Sequence, residues 1–132
     1  MCWKWGYGSG DMAGTIRAQY PISIRPILVP CAGRVGSELV MRTIGRGADG
    51  VLIVGWYPGE CDFETGNKFA WREVEYLNEV LDTIGFSNKR VKMAFCTSAE
   101  GQKFQRVTTE FDKEIRKLGK NPLKNKNSDK NE

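Results

Sequence analysis

Histidine is absent from all 132 residues. That removes the commonest general base, the Ser-His and Cys-His nucleophile pairs, and histidine ligation of haem or of a Rieske centre. Acid-base work would fall to carboxylates, lysines or tyrosines. Long apolar runs are missing too: stretches such as "VLIVG" hold about five or six residues, where roughly 20 are needed to span a bilayer. The first twenty residues lack a basic start followed by an apolar block, so no export signal is expected. A cytoplasmic chain with no membrane partner is the expectation.

A strong excess of one charge is also lacking. The net charge is +4, and residues 119–132 carry four lysines against Asp129 and Glu132, which is half of that excess. The remainder is too mildly basic to argue for nucleic acid. After Gly119, "KNPLKNKNSDKNE" has little apolar surface to offset the entropy of ordering. Residues 1–118 are therefore expected to form one domain, large enough for a core without disulfide staples, and residues 119–132 a tail that is disordered or ordered against a partner.

What is present reads as strands alternating with helices. "ISIRPILVP" (22–30), "GVLIVG" (50–55) and "RVKMAF" (90–95) are short, apolar and bounded by turn residues, as buried strands are. Ala70, Val74, Leu77, Leu81 and Ile84 share one helix face ended by Gly85. Phe104, Val107, Phe111, Ile115 and Leu118 repeat the pattern from Glu100 to Gly119. A shorter helix fits "SELVMRTIGRG", with Ser37 as its cap. "GSGDMAGTIRAQYP" reads as a loop leading into a helix, and Ser98 to Gly101 as a turn-like helix start. The expected fold is α/β: a small three-layer domain with a mainly parallel sheet of about four strands, flavodoxin-like or related.

Four cysteines punctuate this pattern: Cys2, Cys31, Cys61 and Cys96 lie about 30 residues apart, roughly one per βα unit. Cys31 follows "ILVP", Cys96 follows "KMAF", and Cys61 falls in the loop after "VLIVG". Cys2 has nothing ahead of it to form a strand, yet it precedes a helix start. In a parallel sheet such loops share the carboxyl edge, where these folds bind ligands. The plainer reading is four small buried hydrophobes. A redox dithiol is disfavoured by the lack of C-x-x-C. Structural zinc usually draws its cysteines in close pairs, whereas single sulfurs from separate loops suit a wider cage, as in an iron-sulfur cluster. Trp3, Trp5, Tyr7, Trp56, Tyr57 and Phe63 lie near Cys2 or Cys61 and either shield a centre or fill a core. Asp11, Glu60, Asp62 and Glu64 read as solvated loop charges. Arg34 is either a donor toward a cluster or a surface residue. "GYGSGD" does not match a phosphate-binding fingerprint, and its glycines are expected to allow a sharp turn or a close backbone approach to a cluster.

"GDMAGTIRAQYP", "IRPILVPCAGRV", "GADGVLIVGWYPGECDFETGN" and "TSAEGQKF" together resemble the methyl-viologen-reducing hydrogenase delta subunit family, from about Cys2 to Gly119. The resemblance implies an α/β domain carrying a [2Fe-2S] cluster. It implies a non-catalytic redox subunit that relays electrons from a hydrogenase or formate dehydrogenase to the flavin subunit of heterodisulfide reductase, in the cytoplasm of a methanogenic archaeon or a relative. Cys2, Cys31 and Cys61 match family cysteines, and Cys96 supplies the fourth sulfur that such a cluster needs. Three departures stand out. Trp5 replaces the second cysteine of a C-x-W-C opening, Trp56 replaces the first of G-C-x-x-G-x-C, and relatives begin with a short strand before the first cysteine. Alternatives to the relay are a cluster-free docking adaptor of the same complex and a zinc-stabilised interaction module.

Overall fold

Each apolar run leads into a helix, and the computed structural model, which describes residues 2–60 and 65–124 and only the backbone of residues 2–6, shows how these units stack. In chain order they are β1 (Cys2–Trp3), α1 (Lys4–Thr15), β2 (Leu28–Val29), a 3-10 turn (Ala32–Arg34), α2 (Ser37–Gly45), β3 (Val51–Gly55), α3 (Gly66–Thr83), β4 (Val91–Phe95) and α4 (Gly101–Leu118). The sheet runs β2-β1-β3-β4, and all its pairs are parallel. This is the α/β architecture expected, with the strand order of the flavodoxin-like doubly wound sheet.

The pleat of β3 divides the interior. Val51 and Ile53 face α2 and α3, where Val40, Ile44, Val74, Leu77 and Leu81 complete a core. Val54, with Leu52 against it, faces α1 and α4, in a smaller cluster with Ala13, Cys96 and Phe104. Alternate residues of a strand point to opposite faces, so one five-residue run serves two layers. Each aliphatic side chain buried this way contributes about 1.5–3 kcal/mol.

The helix periodicities hold, with informative exceptions. Ala70, Val74, Leu77 and Leu81 are buried, while Ile84, the last of the set, is 61% exposed because α3 has already ended. Gly85 (φ +76°) and Gly119 (φ +78°) follow α3 and α4 in backbone conformations that side chains disfavour. Ser37 opens α2 as its first helical residue, and the capping position is Gly36.

Three expectations need correction. Of residues 22–30 only Leu28 and Val29 form strand; Ile22 is 90% exposed, and Ile24 closes a turn onto the Pro21 carbonyl. Pro26 and Pro30 have no N–H to give a ladder, which confines pairing to the residues between them. Cys2 lies within a strand, not a loop: it pairs with Leu28 on one side and Val54 on the other. The glycine-rich segment after it is helical from Lys4 onward. Glycine costs about 1 kcal/mol in a helix interior relative to alanine, and packing supplies the reason to tolerate it here. A Cβ on Gly10 would sit 3.4 Å from the Phe104 ring, and one on Gly101 would sit 2.7 Å from the Ala13 nitrogen. These glycines let α1 and α4 approach each other.

Beyond α4 the chain runs on against the body. Asn121 is buried; its side-chain amide donates to the Ile44 and Ala48 carbonyls, and its N–H donates to Asp49. Leu123 packs on the larger core. Residues 125–132, the rest of the expected tail, lie outside the described residues.

Candidate functional site

The carboxyl edge of the sheet gathers the chemistry. Cys31 leaves β2 and opens the 3-10 turn, its carbonyl accepting from the Arg34 N–H at 3.0 Å. Its thiol is half-buried and free. Cys96 follows β4 directly, its N–H donating to the Gly55 carbonyl at 3.0 Å, and its side chain is fully buried among Ala13, Val54 and Phe104. Cys2 contributes its strand position between β2 and β3. Cys61, with Asp62, Phe63 and Glu64, lies outside the described residues, as do the side chains of Trp3 and Trp5.

The backbone thus sets Cys31, just past β2, beside the adjacent strand β1 that holds Cys2. Cys96 ends the opposite outer strand, with β1 and β3 between it and Cys31. At an inter-strand spacing of about 4.8 Å, the two outer strand ends stand about 14 Å apart. Among the described residues no three cysteine, aspartate or glutamate side chains gather as a metal site. The donor chemistry, thiols without any imidazole, fits an iron-sulfur cluster, which is held by cysteine thiolates.

Tight contacts fix the loops at this edge. A Cβ on Gly33 would lie 2.8 Å from the Gly66 Cα, so the start of α3 rests directly on the turn after Cys31. Asn67, buried one residue into α3, donates to the Trp56 carbonyl at 3.1 Å and the Tyr57 carbonyl at 2.7 Å. The Trp56 indole N–H donates to Glu60 at 2.9 Å. An aromatic ring at this position is thus tied to its own loop. Asp11, Glu60 and Arg34 are exposed; Glu60 lies in a loop as expected, whereas Asp11 lies on α1, and Arg34, at the end of the 3-10 turn, is a surface residue.

Sequence reasoning missed a polar cluster at this edge. The Tyr57 hydroxyl lies 3.1 and 3.2 Å from the two oxygens of Glu100 and accepts from the Lys103 ammonium, which also sits 4.5 Å from the centre of the ring. Glu100 in turn accepts from the Thr97 N–H at 2.8 Å. The legible signal was T-x-x-E, Thr97 to Glu100, in which an acid reaches back to the backbone three residues earlier, as in a capping box. Ser98, the expected start, is one residue out of register. The Thr97 N–H, followed by the Tyr57 hydroxyl and Lys103, holds Glu100 below its ordinary pKa against the effect of burial. The Tyr57 hydroxyl, with the charge of Glu100, holds Lys103 above its own.

A cavity of about 820 Å³ lies elsewhere, between residues 23–27 and α4, and no cysteine lines it. No described helix is long and apolar enough to cross a membrane.

Fold and edge together define a small doubly wound α/β domain with Cys31 and Cys96 just past the ends of its two outer parallel strands. Within that class the chain belongs to the family of the methyl-viologen-reducing hydrogenase, delta subunit, whose pattern matches residues 1–119. The vhu iron-sulfur subunit of the F420-non-reducing hydrogenase of Methanococcus maripaludis is 41% identical over 124 residues, 94% of this chain and 92% of that protein. Its counterpart in Methanococcus voltae is 43% identical over the same shares. Another relative is far longer: a subunit of the ferredoxin:CoB-CoM heterodisulfide reductase of Methanosarcina mazei is 35% identical over 119 residues, 90% of this chain but 15% of that protein.

Proposed function

We propose that this domain is an electron-relay subunit, passing electrons through an iron-sulfur cluster from a hydrogenase or formate dehydrogenase to the flavin subunit of heterodisulfide reductase. The observation that carries the reading is the double occurrence of the domain. It matches a hydrogenase iron-sulfur subunit over almost its whole length, and it matches a stretch built into a heterodisulfide reductase polypeptide. A unit that is free in one assembly and fused in another is suited to joining the two. A bound cluster supplies one-electron transfer; the protein holds it and sets its surroundings.

Cys2, Cys31, Cys61 and Cys96 are the proposed ligands of a [2Fe-2S] cluster, in a cytoplasmic complex. Cys96 is the member the geometry favours least, since it is buried and follows the strand farthest from Cys31. Iron and sulfide analysis of anaerobically purified protein tests the set, with two irons per chain and broad visible bands expected. A Cys96→Ser variant with undiminished iron removes that residue from it. Capture of both hydrogenase and heterodisulfide reductase polypeptides from an anaerobic extract of the source cells tests the partners.

That same place of Cys96 favours a second reading, a docking adaptor without a cluster. Colourless, iron-free protein that still captures both partners establishes it, and stoichiometric zinc in place of iron indicates an interaction module.

A further inference from the structure

We infer that Tyr57, Glu100 and Lys103 form a charged strut between the loop that carries Cys61 and the loop that carries Cys96, and that its two opposite charges tune the potential of a cluster held at this edge. The inference rests on the relay reading above.

The geometry is that of a tie between two loops. Tyr57 stands four residues before Cys61, and its ring stacks on Phe95, the residue before Cys96, with centroids 6.2 Å apart. The Tyr57 hydroxyl takes a hydrogen bond from Lys103 and faces both oxygens of Glu100. Glu100 also binds the Thr97 N–H, the backbone group that follows Cys96. One carboxylate therefore holds both loops, and one ammonium covers the ring between them. Both side chains are partly buried, where water screens charge less than at an exposed surface. Through Phe95 and Thr97, on either side of Cys96, the pair is tied to that strand end.

A positive charge near a cluster favours its reduced, more negative form, and a negative charge opposes it. The pair is balanced, so each partner masks the other. Removing Lys103 leaves Glu100 uncompensated and lowers the potential. Removing Glu100 leaves Lys103 and raises it. A part that served packing alone has no reason to give shifts of opposite sign.

The test is spectroelectrochemical titration of the anaerobically purified protein, with iron measured on each sample. Lys103→Gln is expected to shift the midpoint negative, Glu100→Gln positive, and Lys103→Arg to stay near the wild type. Shifts of one sign, or none, in variants that keep their iron overturn the strut while leaving the relay standing. Wild-type protein that takes up no iron overturns both. A cluster-free readout is hydrogen exchange at the Thr97 amide, which Glu100→Gln is expected to accelerate while amides in the β3 and β4 ladders keep their rates. An unchanged Thr97 rate also overturns the strut.

Discussion

The two ends of the sheet are held by different means. At the amino end a single buried cation serves the backbone: Arg90, 4% exposed, donates to the carbonyls of Phe86, Asp49, Gly119, Leu118 and Lys120. Asn121 does the same on a smaller scale for α2 and the turn after it. At the carboxyl edge, side chains bind mostly one another and their own loops, through Trp56–Glu60 and Tyr57–Glu100–Lys103. The first end closes carbonyls that would otherwise be stranded. The second leaves thiols at strand ends and places charges around them. One pole ties the backbone together; the other holds the sulfurs that the proposed relay would use.

Substitutions at each pole test that division. Arg90→Met is expected to have the largest effect, about 3 kcal/mol of lost stability in urea unfolding, because five carbonyls lose a charged donor together. It should leave iron per folded chain unchanged; loss of iron at full folding would show that the poles are coupled. Gly101→Ala comes next, at about 2 kcal/mol, since its Cβ would meet the Ala13 nitrogen at 2.7 Å and push α1 from α4. Unlike Arg90→Met, it acts beside Cys96 and is expected to speed that thiol's reaction with a maleimide in metal-free protein, where the half-buried Cys31 is expected to react before the buried Cys96. Asn121→Ala is expected to cost about 1–2 kcal/mol by thermal or urea unfolding, again without loss of iron.

The smallest effect is one of pH. Because Glu100 has a lowered pKa in the folded state, its contribution is fully present above the ordinary carboxylate pKa and is lost as the pH falls from there through the lowered folded-state pKa. Asp112, held low by Ser23 and then Arg116, acts in the same direction. Stability of the wild type is therefore expected to fall more steeply on acidification than that of Glu100→Gln. Equal slopes in parallel urea series would place Glu100 outside the stabilising network.

The fold was legible where side-chain pattern decides it. "VLIVG" is a strand wherever a sheet is buried on both faces, and the steps from Ala70 to Leu81 leave few options but a helix. Reading failed where a partner far along the chain decides. Gly8 and Gly10 look like loop residues until Ser98 and Phe104 are placed against them. Cys2 has no strand-like context of its own; Leu28 and Val54 make it a strand. At the site, Cys31 and Cys96 were readable as strand-end residues, because each follows an apolar run. Their separation across the sheet was not, since strand order is absent from local pattern. The Tyr57–Glu100–Lys103 group joins residues more than forty positions apart, and only its Thr97–Glu100 half leaves a trace in one short segment.

The central place of β1 bears on how the domain is made. Synthesis delivers β1 before either neighbour, and pairing needs Leu28 on one side and Val54 on the other. Until the ribosome has released about the first half of the domain, β1 lacks its second neighbour, and the face of α1 that packs on α4 waits until the last helix emerges. A nascent chain of this kind stays exposed and prone to stick until its last helix emerges and closes over its own beginning.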